Sequence, residues 1–168
     1  MRADARRNYE QLVDQAKLAF AEFGADASLD EIARRAGVAS GTLYRHFPTR
    51  LDLVQAVLAE QIAALVELGR GLLTAEDGLA TWLRAALRHG LTYRGLAAEV
   101  LSSELSAAWH AELFEVCADL LDRVGQRERA EDVLRLVGAI AWASVPDNHE
   151  QADRMLAIVL KGLKCARD

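Results

Sequence analysis

The segment from Ser28 to Pro48 constrains this chain more than any other, because it packs two helix starts and two helix stops into a short run. Ser28-Leu-Asp-Glu31 is a capping box, in which the Ser28 hydroxyl accepts from a first-turn N–H while Glu31 reaches back. Leu29, Ile32, Ala33 and Ala36 follow at helical spacing, predicting a helix over 29–36. It stops at Gly37, the residue type that best closes a helix in the left-handed region, with Val38 beneath the turn. A further short helix over 40–47 ends where Pro48 forbids continuation. Thr49 and Asp52 then open a long helix with Val54, Leu58, Ile62 and Leu65 on one face. Upstream, 6–23 reads as an amphipathic helix carrying Leu12, Ala16, Ala19, Phe20 and Phe23.

Composition extends the helical reading to the whole chain. The 168 residues hold 31 Ala and 26 Leu against 4 Ile and 12 Val, with 2 Pro. That bias favours helix and leaves few β-branched residues for a sheet. Further helices are expected near 76–93, 96–105, 107–124, 129–145 and 149–166, with Gly90 and Gly95 breaking the middle of this run and Val145-Pro-Asp-Asn148 forming the clearest late turn. The expectation is an all-α chain of about nine helices, divided into a domain over 1–48 and a larger one over 49–168. Met1 is followed by a charged segment rather than a signal peptide, and no uncharged stretch approaches the ~20 apolar residues of a membrane span. Cys117 and Cys165 make neither a disulfide framework nor a four-ligand zinc site. A soluble, cytoplasmic protein with no cofactor, no metal and no membrane partner is expected.

The formal net charge of −5 looks wrong for a protein that binds nucleic acid, but it is unevenly spread. Residues 1–50 carry 8 basic and 7 acidic side chains, while the remainder carries 12 and 18. A locally basic surface is therefore compatible with the acidic whole.

Two short helices joined by a glycine turn have the dimensions of a helix-turn-helix, and equally of an ordinary αα-corner. The composition of the second helix separates the two readings. In Ser40-Gly-Thr-Leu-Tyr-Arg-His-Phe47, Leu43 and Phe47 sit i, i+4 and can dock inward. Ser40, Gly41, Thr42, Tyr44, Arg45 and His46 remain for the outer face. A helix with a small leading end and a donor-rich flank suits a DNA groove.

With these residues in view, Ser28 to Arg50 resembles the DNA-binding signature of the TetR family of transcriptional regulators. The resemblance covers Arg6 to about Val57, and the Gly-Thr-Leu-Tyr-Arg-His-Phe run is its most specific part. It implies a homodimeric repressor whose larger C-terminal domain binds a small-molecule effector. By position, Ser28 corresponds to a phosphate-contacting hydroxyl. Ser40, Gly41, Thr42 and Arg45 correspond to residues facing bases or adjacent phosphates, Tyr44 and His46 to backbone-contacting aromatics, and Arg50 to a phosphate-contacting cation. Ala39 stands where the family often has Ser, which moves the expected cap of the recognition helix to Ser40. Arg34 and Arg35 read as a solvated face.

For the effector, the candidate pocket residues are Trp82, His89, Tyr93, Trp109 and Phe114, since small-molecule sites are mostly apolar with a few polar groups. Glu99 and Glu104 lie in the same stretch. Helices 129–145 and 149–166 carry apolar stripes broader than one core requires, which predicts that they form the homodimer. The resemblance implies release from operator DNA when ligand in the 76–125 lobe moves the helix that starts near 49. The alternative is a DNA-binding architectural protein without an effector. His110, Cys117 and Glu104 match no thiol or acid–base motif, and His89, His110 and Glu112 are too scattered to argue for a metal, so no enzyme is expected.

Overall fold

The computed structural model describes residues 2–100, 104–145 and 148–165. Helix α1 runs Arg2–Phe23 and passes through a 3-10 turn, Gly24–Asp26, into α2, Leu29–Arg35. Helix α3 is Ser40–His46 and α4 is Arg50–Leu72. Then come α5, Gly78–Val100, α6, Glu104–Arg123, α7, Ala130–Ala143, and α8, His149–Cys165. Eight α-helices are thus present among the described residues, and no strand.

The count corrects the expected nine, because the break expected between helices at 76–93 and 96–105 is absent and α5 runs through it from Gly78 to Val100. Neither Gly90 nor Gly95 breaks it. A Cβ on Gly90 would come within 3.0 Å of the Ala141 methyl, so this glycine admits the close approach of α7. A glycine inside a helix costs about 1 kcal/mol against Ala, less than the packing of Trp82, Leu83 and Leu87 on the same helix returns. Pro146 and Asp147, part of the expected late turn, lie outside the described residues.

The chain divides into two units, one of Met1–Gln61 with Gly95–Ser103, the other of Ile62–Arg94 with Glu104–Asp168. In the first, Leu12, Val13, Ala16, Phe20, Ile32, Leu43, Phe47, Leu53, Val54 and Val57 are buried, so α1 to α4 contribute to one small core. Phe23 departs from expectation. It is exposed, and the Arg35 guanidinium lies 5.6 Å from its ring centroid. In the second unit the buried core includes Trp82, Leu83, Leu87, Cys117, Leu120, Val137 and Leu156. No described helix is long and apolar enough to cross a membrane.

Candidate nucleic-acid interface

The 28–50 segment is held by backbone hydrogen bonds that the sequence encodes closely. Ser28 caps α2, its Oγ accepting from the Glu31 N–H at 3.4 Å. The reciprocal half of the capping box is not made. The Glu31 carboxylate instead accepts from Arg34 at 2.7 Å and Arg35 at 2.9 Å, which holds it down to a pKa of about 2. At the other end the Gly37 N–H donates to Arg34 O at 3.2 Å and the Val38 N–H to Ala33 O at 3.1 Å. This is a Schellman closure, and Gly37 takes the positive φ of 70° that it requires. The chain therefore leaves α2 at a fixed angle and enters α3.

Helix α3 begins at Ser40 with Ala39 as its N-cap, and no side chain caps it. The expected transfer of the cap to Ser40 does not occur, so the Ser40 hydroxyl stays on the exposed face. Leu43 and Phe47 are buried at i, i+4. Tyr44 is 47% exposed, Ser40, Gly41 and Arg45 are exposed, and Thr42 and His46 are half-buried. One face of a seven-residue helix is thus anchored while the other presents hydroxyls, a guanidinium and an imidazole. Arg45 folds along its own helix, donating to Thr42 Oγ1 at 3.2 Å and Gly41 O at 3.4 Å. Across the Pro48 break, Thr49 and Asp52 cap α4 reciprocally, the Thr49 N–H donating to Asp52 Oδ2 at 2.8 Å and the Asp52 N–H to Thr49 Oγ1 at 3.2 Å.

Two residues play parts that the sequence reading did not give them. Tyr9 of α1 sits edge-on to His46 with centroids 6.0 Å apart, and 5.1 Å from Phe47. It fixes the imidazole at the end of α3, and its place on the Leu12–Ala16 side of α1 was the available signal. Arg50 donates to the carbonyls of Ala27 at 2.6 Å and Ala25 at 2.8 Å, with its guanidinium 5.2 Å from the Phe20 ring centroid. Its known contacts thus brace the turn that leads into Ser28. Arg34 and Arg35 pair with Glu31, and Arg35 also with Glu22 at 3.3 Å.

In the second unit the candidate pocket residues have varied surroundings. Trp82 is fully buried and donates its indole N–H to Leu65 O at 2.8 Å, as a core tryptophan does. His89 and Tyr93 are neighbours on α5 with ring centroids 5.1 Å apart. Burial pushes the His89 imidazole down to a pKa of about 4. Trp109 and Phe114 are half-buried on α6, Phe114 stacked on His110 at 6.0 Å. The side chains of Glu99 and Glu104 lie outside what the structure describes. A cavity of about 440 Å³ is present in this unit, but none of the five candidates lines it. Cys117 is buried, and burial pushes its thiol up to about 12. Among the described residues no three His, Cys, Asp or Glu side chains are grouped to hold a metal ion.

A capped helix, a glycine turn and an anchored second helix with an exposed polar face define a helix-turn-helix DNA-binding regulator. The tetR-family model of bacterial regulatory proteins matches residues 12–57, and the model of the SbtR-like transcriptional regulator C-terminal domain matches 74–165. The chain belongs to the TetR family of transcriptional regulators. It is 31% identical to the TetR transcriptional regulator SCO0520 from Streptomyces coelicolor, with a TM-score of 0.74 over 92% of this chain and 97% of that one. The uncharacterized HTH-type transcriptional regulator TtgW of Pseudomonas putida is 43% identical over 60 residues, which is 35% of this chain and 45% of TtgW. The chain thus matches less than half the length of that curated relative. In fold alone it is similar to LfrR from Mycobacterium smegmatis, solved in complex with proflavine, at 21% identity and a TM-score of 0.62 over 94% and 96% of the two chains.

Proposed function

We propose that this regulator is a homodimeric repressor that leaves its operator when a small organic effector binds its second unit. The observation that carries the DNA half is the two-sided α3, with Leu43 and Phe47 buried beneath an exposed Ser40, Gly41, Tyr44 and Arg45. In the operator complex, Ser40, Gly41, Thr42 and Arg45 meet base edges or adjacent phosphates, while Ser28, Tyr44 and His46 hold the DNA backbone. Arg45 gives up its contacts within α3 to do so. Arg50 serves by bracing the 24–27 turn that presents Ser28.

The dimer half rests on apolar surface left uncovered on α7 and α8. Leu136 is 53% exposed, Trp142 61% and Ile158 71%, while Val133, Val137, Ala152 and Leu156 of the same helices are buried. Each helix therefore has one face for its own core and another for a partner. Two such pairs form a four-helix bundle across a twofold axis, and a twofold dimer suits a pseudo-palindromic site.

Effector release is supported by family membership and by the structure of LfrR with proflavine, a protein of the same fold. The ligand has to favour the DNA-incompetent conformation, since equal affinity for both shifts nothing. Helix α4 offers the route, because it carries both Arg50, which braces the turn before Ser28, and Leu65, which accepts from Trp82.

The test is DNA retardation at two salt concentrations, using fragments upstream of the protein's own gene, followed by selection from random DNA. A salt-sensitive, dimer-sized complex that a small molecule dissolves is the expected result. A selection that enriches no sequence would overturn the DNA reading. A specific complex that no member of a broad small-molecule library dissolves would overturn effector release.

A further inference from the structure

We propose that Arg45 reads a guanine in each half of the operator, its guanidinium donating to the N7 and O6 of that base in the major groove. The inference rests on the DNA-binding reading given above and names the base pair that α3 recognises.

The position of the guanidinium is the first ground for it. A long helical side chain leans toward the helix N-terminus. Arg45, the sixth of the seven residues of α3, reaches back in this way to Gly41 O and Thr42 Oγ1. Its charge therefore lies beside the first turn of α3, the part of a recognition helix that meets base edges. Gly41 brings no side chain to that place, and the space where its Cβ would stand is open.

The second ground is what holds the side chain. Both of its contacts are with neutral oxygens, at 3.2 and 3.4 Å, which is long for a charged donor. Among the described residues Arg45 has no carboxylate partner, and no acidic residue stands between Glu31 and Asp52. Arg34 and Arg35, by contrast, are committed to Glu31 and Glu22. Arg45 can turn to DNA without breaking an ion pair.

The third ground is what else the helix offers. A base is discriminated best by a side chain suited to its edge: an Arg or Lys to guanine, a carboxamide to adenine, a carboxylate to the amino group of cytosine. Ser40-Gly-Thr-Leu-Tyr-Arg-His46 holds no Asn, Gln, Asp or Glu. Arg45 supplies the two-donor fork of α3, and on a twofold site two copies of it meet two symmetry-related G·C pairs.

The experiment is a selection from random duplex DNA by the full chain and by Arg45→Ala, side by side. Arg45 is exposed and Ala is the strongest helix former, so the variant is expected to fold. The wild-type site is expected to hold a G at one symmetry-related position of each half. Arg45→Ala should lose that preference alone, the affinity gap between G·C and A·T there falling about tenfold to a hundredfold. A second measurement leaves the protein untouched. 7-Deazaguanine at that position lacks the N7 acceptor and should weaken wild-type binding roughly tenfold, whereas inosine, which keeps N7 and O6, should not. A G·C preference that survives Arg45→Ala, with affinity lowered equally on every sequence, would make Arg45 a phosphate contact and overturn the proposal. So would a wild-type site without such a G, or full binding to the 7-deazaguanine duplex. A wild-type selection that enriches no sequence overturns the DNA-binding reading itself, and this inference with it.

Discussion

The Arg50 guanidinium donates to the Ala27 carbonyl at 2.6 Å, across the gap between the first turn of α4 and the residue before the α2 cap. With Ala25 O at 2.8 Å and the Phe20 ring beneath it, Arg50 ties three elements of the first unit together. A phosphate contact and a brace lose different things on truncation. Arg50→Ala is expected to lower stability by about 1–3 kcal/mol and to weaken operator binding at every salt concentration by a similar factor. The slope of log affinity against log salt should stay unchanged. A slope shallower by about one unit would make Arg50 a phosphate contact instead.

Gly69 of α4 faces Trp82 and Val116. A Cβ there would fall 2.7 Å from the Trp82 indole nitrogen and would clash with the Val116 side chain. Helix propensity favours Ala over Gly by about 1 kcal/mol, but overpacking costs about 1–3 kcal/mol and here also disturbs the Trp82–Leu65 hydrogen bond. Gly69→Ala should therefore lower the urea midpoint. Gly71→Ala, with open space at its Cβ, should leave it unchanged or raise it. Equal midpoints for the two variants would show that α4 and α5 can move apart freely.

His89 gives the fold a pH dependence of definite sign. Its folded pKa lies near 4 because burial disfavours the imidazolium, against an ordinary value of 6.5. The unfolded chain thus binds the proton first. The stability tied to neutral His89 is complete above pH 6.5 and is lost as pH falls from 6.5 towards 4, by at most about 3 kcal/mol. His89→Phe should flatten this part of the stability curve in chemical denaturation between pH 4 and 7. An unchanged slope would assign the proton to another group.

Trp142 and Leu136 are the exposed apolar anchors of α7. Since neither supports its own core, Trp142→Glu with Leu136→Glu should leave helical content intact while converting a dimer to a monomer in light scattering. Operator affinity should collapse with it, because a single recognition helix reads only half a site. A variant that remains dimeric would move the interface elsewhere.

The DNA-binding half was legible because its determinants are local. A hydroxyl at Ser28, a glycine at Gly37, a proline at Pro48 and the Thr49–Asp52 cap each act within a few residues of themselves. Misreadings arose where meaning depends on a distant neighbour. Gly90 looked like a break until Ala141 was seen against it. Phe23 matched the apolar spacing of α1 and yet faces Arg35 rather than the core. Arg50, expected as a phosphate-contacting cation, also bonds the carbonyls of the 24–27 turn, which lies far from it in sequence. In the second unit, periodicity located the helices but not the gaps between them, since a cavity is a property of several helix ends at once.

The ion pairs of the first unit bear on how such a protein finds its site. Arg6, Arg7, Lys17, Arg34 and Arg35 each hold a carboxylate of their own chain. With 8 basic against 7 acidic side chains over residues 1–50, the net charge left to pull DNA in from beyond a Debye length of about 8 Å is small. Encounter with the genome should accordingly be slow and weakly retained. One-dimensional sliding, which relies on sequence-blind attraction, should give way to repeated three-dimensional collisions. Occupancy of the operator would then be set by how long a correctly seated complex lasts, not by how quickly it is reached.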